Sequence, residues 1–361
     1  ASFRRDRSTS ISYFPCHLYL LPMVNEDRAS RLLAVARRVA ESIDHEGLVG
    51  VVLFGSLARG CVDEESDVDL AVVIEDGEQG MEEVYVEGIR VEVWKYRVEH
   101  FRHTFEDGGY RGRRDSWFLA SLWVRLLREG VVLRDPLGLL ESWKRQALAW
   151  KWTKEEIAAV VRRAEDCLRT AIDAYNEGLV FRGVVAVRDS CYNLAMAWIM
   201  SRGGVPSIRP KDIYREVALT GLRELFREVQ GLTDLSRVRV KELLGELRRL
   251  LDEVWKEPRG ARTEYENAVK SLHRGRLGEA VLNARYSAFY LGLRMARRRV
   301  RVPLRLYDAK YHLKILDELE GERRFMALYR ELQETTRLDS EYLGRAIELV
   351  RDSLSIMRLH L

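Results

Sequence analysis

Cysteine is scarce in this sequence: Cys16, Cys61, Cys167 and Cys191 are the only four in 361 residues. None stands in a CxxC pair and no histidine cluster completes a ligand set, which excludes the usual zinc patterns. Four widely spaced cysteines in a chain this long predict reduced thiols and a cytoplasmic location rather than a disulfide framework. The histidines are scattered too; His100 and His103 stand three apart with no third ligand nearby. No apolar run reaches the length of a bilayer-spanning helix, so no membrane-spanning segment is expected. The net charge of +4 is too small to announce a nucleic-acid binder by composition.

What is present is ample core. Apolar residues make up 47% of the chain, and this length predicts two or three domains rather than one. The charged residues favour Arg and Glu, a bias shared by heat-adapted proteins and by GC-rich coding. Residues 11–24, ISYFPCHLYLLPMV, follow Arg4, Arg5 and Arg7 as the apolar core of a leader would. Pro15 and His17 interrupt the run and no small-residue cleavage site follows, so residues 1–26 are expected to be an extension that docks apolar side chains.

From residue 27 to 150 the pattern alternates. Ala29, Leu32, Leu33, Ala36 and Val39 have helical spacing. Short apolar runs bounded by turn signals then read as strands: 51–54, 70–74, 84–86 and 91–94, with a further short one at 131–133. Gly88 suits a hairpin between the third and fourth. Residues 115–128 return to helical spacing, and everything after about 137 looks helical. The expected class is therefore α+β: strands and helices together over 27–150, then helical bundles over 151–255 and 256–361. Trp255–Thr263, which holds one of only seven prolines at Pro258, is the candidate linker between those bundles.

The helical part repeats itself. Sliding the sequence by 97 residues superposes 164–206 on 261–303 without a gap. Identities fall at Ala164/Ala261, Ala171/Ala268, Gly178/Gly275, Val184/Val281 and Arg188/Arg285. They continue at Ser190/Ser287, Leu194/Leu291, Arg202/Arg299 and Val205-Pro206/Val302-Pro303. Background composition supplies roughly three matches over such a span. The Gly, Ser and Val-Pro matches are not helix composition, so a duplication is expected, each copy hiding its apolar face against neighbours.

The chemistry is concentrated at residues 55–73, GSLARGCVDEESDVDLAVV. Gly55-Ser56 follows a buried strand, where a glycine permits close backbone approach and a hydroxyl with turn N–H groups can take phosphate oxygens. Asp67 and Asp69 are two apart at a strand entry, so both side chains point to one side. Paired carboxylates repel unless a cation lies between them, and Mg²⁺ takes carboxylate and phosphate oxygens. Glu92, between Val91 and Val93 on a later strand, would complete the group if that strand is adjacent. It would then bind metal or accept a proton. Asp67 and Asp69 standing alone would be ordinary strand-entry acids. Arg59 fits either the triphosphate or a solvated helix turn, and Ser66 reads as a local cap.

Gly55, Ser56, Asp67, Asp69 and Glu92 together resemble the polymerase-beta-like nucleotidyltransferase superfamily, and GSLARG…SDVDL looks most like its minimal branch. The layout is similar to that of kanamycin nucleotidyltransferase. The likeness spans roughly residues 30–140. It implies a mixed sheet with helices on one side, two Mg²⁺ ions bound by Asp67, Asp69 and Glu92, and ATP or another NTP gripped at Gly55, Ser56 and Arg59. It also implies transfer of a nucleoside monophosphate to a small-molecule or protein hydroxyl.

Arg188-Asp189-Ser190-Cys191-Tyr192-Asn193 and Asn283-Ala284-Arg285-Tyr286 resemble the helical HEPN family, which accompanies such enzymes as a fused domain or a toxin–antitoxin partner. Active HEPN ribonucleases carry an Arg, four to six intervening residues, then a His. Neither copy has one, so Arg188 and Arg285 are expected to pair with bundle acids. The arginine run 294–305 reads as a phosphate footprint for RNA or as a solvated helix end. The competing functional class is a non-catalytic nucleotide- or RNA-binding regulator. A homodimer is compatible with all of this.

Overall fold

The computed structural model describes residues 26–64, 66–110, 116–218, 220–254, 259–297, 306–335 and 338–359. Residues 1–25 of the expected N-terminal arm, 255–258 of the expected linker and the 298–305 part of the arginine run, with Val302-Pro303, lie outside them; the rest of that linker is not a break but the start of the helix Arg259–His273. The chain forms two compact units, Ala1–Trp150 and Lys151–Leu361.

In the first unit α1 (Glu26–Ser42) leads into β1 (Leu48–Phe54), a short α2 (Gly55–Ala58) and β2 (Val68–Ile74). The hairpin of β3 (Gly80–Val86) and β4 (Ile89–Arg97) follows. Then come α3 (Glu99–Phe105), α4 (Ser116–Glu129), β5 (Val131–Arg134) and α5 (Leu139–Leu148). The strands form one mixed sheet in the order β3-β4-β2-β1-β5. β2 and β4 run parallel and the other pairs antiparallel.

Period-two alternation divides the sheet into two faces. Val51, Leu53, Val68, Leu70, Val72, Ile74, Val91 and Val93 pack with Leu32, Val35, Ala36 and Val39 of α1. The opposite face carries Ala71 and Val73, also buried, and beyond them Asp67, Asp69 and Glu92. α4 and α5 pack against β1, and α3 against β4. Helices thus cover both faces, which corrects the one-sided layer that the resemblance implied. The reason is the Val/Leu-rich run of β1 and β2, which no single layer could bury.

Among the described residues the regular elements of the second unit are all helices: α6 (Lys154–Asn176), α7 (Val180–Ser201), α8 (Pro210–Val217), α9 (Arg223–Val229) and α10 (Arg237–Glu253), then α11 (Arg259–His273), α12 (Leu277–Ala296), α13 (Ala309–Glu318), α14 (Arg323–Gln333) and α15 (Ser340–Leu359). The second five repeat the first. The Ser190 hydroxyl donates to the Ala164 carbonyl at 2.6 Å, and that of Ser287 to Ala261 at 2.6 Å. Helices α10 and α15 are both capped by the side chain just before them, Ser236 and Asp339.

The copies do not form two separate bundles. The α6–α7 hairpin is closed by α13 and α15, and the α11–α12 hairpin by α8 and α10, so each half lends helices to the other. A lone helical hairpin leaves an apolar face open, and reciprocal exchange closes both at once.

Arg188 and Arg285 sit where the halves meet, both buried. They do not pair with acids, as the sequence suggested, but with carbonyls at helix ends. Arg188 Nε donates to Val229 O (3.2 Å) and Nη1 to Gln333 O (2.9 Å). Arg285 Nε donates to Leu332 O (2.7 Å) and Nη1 to Gln230 O (2.7 Å). A cation at the C-terminal ends of α9 and α14 answers their unpaired carbonyls and helix dipoles. Burial and then the neighbouring Arg188 charge pull the Arg285 pKa well below its ordinary value.

The expectation of four reduced thiols is also corrected. Cys167 and Cys191 are free and buried, as expected, whereas Cys61 is disulfide-bonded. No helix among the described residues is long and apolar enough to cross a membrane.

Candidate functional site

The site forms where β1 ends. Phe54 is the last residue of β1 and is registered against Asp69 of β2. The chain must turn away at once, and Gly55 does so with φ of +79°. A Cβ at position 55 would stand 1.9 Å from Asp69 Oδ2 and 2.8 Å from its Cγ. Glycine is therefore needed twice, for the dihedral and for the space the carboxylate uses. Gly55→Ala is expected to cost about 1–3 kcal/mol of stability and to displace the Asp69 carboxylate. Denaturant unfolding checks the first effect; unchanged stability would show that the bend is not the tight element described.

After Gly55 the backbone makes the single turn α2, closed by Cys61 N donating to Ser56 O at 2.9 Å. The Ser56 hydroxyl lies 3.5 Å from that of Ser66. Ser66 Oγ accepts from Asp63 N (2.9 Å) and donates to Asp63 Oδ1 (3.0 Å), the local cap its position predicted. Arg28 of α1 pins this loop through the carbonyls of Asp63 and Ser66. The segment between Ser56 and Asp67 is thus anchored from outside, leaving its inner side to Ser56 and the carboxylates.

The parallel register of β2 and β4 pairs Asp69 with Glu92. Asp67 lies one same-face position earlier on the chain, so all three carboxylates occupy one face across two adjacent strands. Glu92 is the deepest, only 9% exposed. Its Oε1 accepts from Arg90 Nη2 at 2.6 Å and its Oε2 from Trp94 Nε1 at 3.2 Å. Arg59, the third nucleotide-binding candidate, pairs with Glu129 of α4 at 3.4 Å, and Glu129 is also held by Arg125 at 2.9 Å.

Two neighbours escaped the sequence reading. Arg90 places Nε 2.8 Å from Glu83 Oε2, Nη2 2.6 Å from Glu92 Oε1 and Nη1 3.7 Å from Asp67 Oδ2. Glu83 is the β3 residue registered opposite Glu92, so Asp69, Glu92 and Glu83 form a row across three strands. Partial burial lowers the Arg90 pKa, but Glu92, Glu83 and Asp67 outweigh it and hold the guanidinium above its ordinary value. The signal was in the chain: two residues before Glu92 on one strand means the same face.

Asp67, Asp69 and Glu92 are hard oxygen donors, Asp67 and Glu92 already bridged by the Arg90 cation, and this donor chemistry fits Mg²⁺. Among the described residues, no three His, Cys, Asp or Glu side chains are placed to hold a metal ion together.

Residues 36–111 match the nucleotidyltransferase domain family. No curated protein matches the chain. Among solved structures, a nucleotidyltransferase-like protein from Exiguobacterium sibiricum 255-15 is similar at 14% identity and a TM-score of 0.35, over 83% of this chain and 89% of that one.

Proposed function

We propose that the chain transfers a nucleoside monophosphate, AMP in the simplest case, from an NTP to a hydroxyl of a small molecule or a protein. The observation that carries this reading is the registered Asp69–Glu92 pair beside Asp67, placed against the tight Gly55 bend. The match of residues 36–111 to a nucleotidyltransferase domain supports it.

In this reading the nucleotidyltransferase domain spans residues 27–150. The Gly55–Ser56 backbone N–H groups and the Ser56 hydroxyl take triphosphate oxygens. Asp67, Asp69 and Glu92 would hold Mg²⁺, which when bound supplies charge neutralisation at the triphosphate. The acceptor oxygen bonds to the α-phosphorus as the bond to pyrophosphate breaks, and the acceptor proton passes to Glu92. Protein work in such a reaction is mainly alignment, which the rigid β2–β4 register provides.

The helical unit is a duplicated HEPN-like domain without ribonuclease chemistry: Arg188 and Arg285 are buried and taken up by main-chain carbonyls. An RNA-cleaving site would need them at a surface.

Incubation with α-labelled ATP and Mg²⁺, with and without cell lysate, tests the reading. Label on protein identifies a protein hydroxyl, and label in a soluble product a small acceptor. Nucleotide bound with no label transferred under any condition contradicts the enzyme and favours a binding module.

A further inference from the structure

We propose that Arg90 is the counter-cation of the nucleotide-free site, and that Glu83 is the group to which it withdraws when a divalent cation takes Asp67, Asp69 and Glu92. This rests on the nucleotidyltransferase reading above and adds two residues to it.

The guanidinium faces a different carboxylate with each of its three nitrogens. It bonds firmly to Glu83 (2.8 Å) and Glu92 (2.6 Å) and only loosely to Asp67 (3.7 Å). Arg cannot shed its proton to make room for a second cation. A divalent ion and this guanidinium therefore compete for the same Glu92 and Asp67 oxygens, and one must leave.

The hairpin provides the place to go. Glu83 lies on the edge strand β3, further from Asp69 than Glu92 is, and its side chain is 36% exposed. Arg90 already holds Glu83 through Nε, so turning the rigid guanidinium as a whole about that contact, through its side-chain torsions, carries Nη2 off Glu92 while the Glu83 pair persists. The sheet supplies this geometry because the β3–β4 register sets Glu83 directly opposite Glu92.

Two variants then shift cation binding in opposite directions. Removing the competitor with Arg90→Gln is expected to tighten Mn²⁺ binding to the nucleotide-free full chain about fivefold, the scale a partly exposed ion pair allows. Removing the alternative partner with Glu83→Gln leaves Arg90 bound to Glu92, and is expected to weaken Mn²⁺ binding about threefold. The double variant should behave like Arg90→Gln. Arg90→Lys, which keeps one charge but touches fewer carboxylates, should fall between wild type and Arg90→Gln and serves if the Gln variant does not fold.

Free Mn²⁺ measured by electron paramagnetic resonance reads these affinities without any turnover. A purely structural Arg90 predicts unchanged or weaker binding in both variants, and that result overturns this inference alone. Wild type and variants all failing to bind Mn²⁺ would overturn it together with the proposed function.

Discussion

Replacing Asp69 by asparagine is expected to lower nucleotidyl transfer by about a thousandfold or more while the fold survives. Asn has nearly the same shape, so the close fit of position 69 against Gly55 is kept. What disappears is the anionic oxygen pair at the β2 end of the row shared with Glu92 and Glu83. Loss of one charge from an acidic face relieves repulsion, so the melting temperature should be unchanged or slightly raised. Label transfer from α-labelled ATP, with a thermal melt on the same preparation, checks both. Wild-type transfer by a folded Asp69→Asn protein would exclude this carboxylate from the chemistry.

In the helical unit, Arg285→Ala is expected to cost about 3 kcal/mol of stability, because burial leaves its acceptors no other donor. Leu332 O, Gln230 O and the Thr335 hydroxyl each accept from this guanidinium at 2.7 Å. They lie on segments from both copies, so the loss also loosens the join between them. Arg188→Ala should be comparable, since it holds the equivalent carbonyls, Val229 O and Gln333 O. Urea unfolding with an unchanged m-value measures the effect. A loss below about 1 kcal/mol would mean that the helix ends find other partners, and the two arginines would not be the clasp described.

The strands and the first carboxylates were legible because their signals are local. Apolar runs bounded by turn residues mark β1, β2 and β4, and Asp67-Val-Asp69 fixes a common face by period alone. Glu83 was within reach of the same arithmetic. Glu87 and Gly88 both have positive φ, and the two-residue turn they make sets Val86 opposite Ile89 and hence Glu83 opposite Glu92. The sequence reading placed the hairpin but did not count back along it.

Other features have no local signal. The exchange of helices between the copies depends on where the chain goes after α7 and α12; two similar hairpins offer similar apolar faces, and sequence does not say which one α8 or α13 will cover. The partners of Arg188 and Arg285 were hidden for a different reason. Backbone carbonyls belong to every residue, so an arginine bound to them looks in sequence like any arginine on a helix.

The central claim is that Asp67, Asp69 and Glu92, beside Gly55 and Ser56, make a cation-dependent triphosphate site. Its most direct test is equilibrium binding of an ATP analogue with a non-cleavable α,β bridge, which needs no acceptor. Binding should require Mg²⁺ or Mn²⁺, vanish with chelator, and vanish in a folded Asp67→Ala/Asp69→Ala double variant. Binding that survives both the chelator and the double substitution would contradict the account.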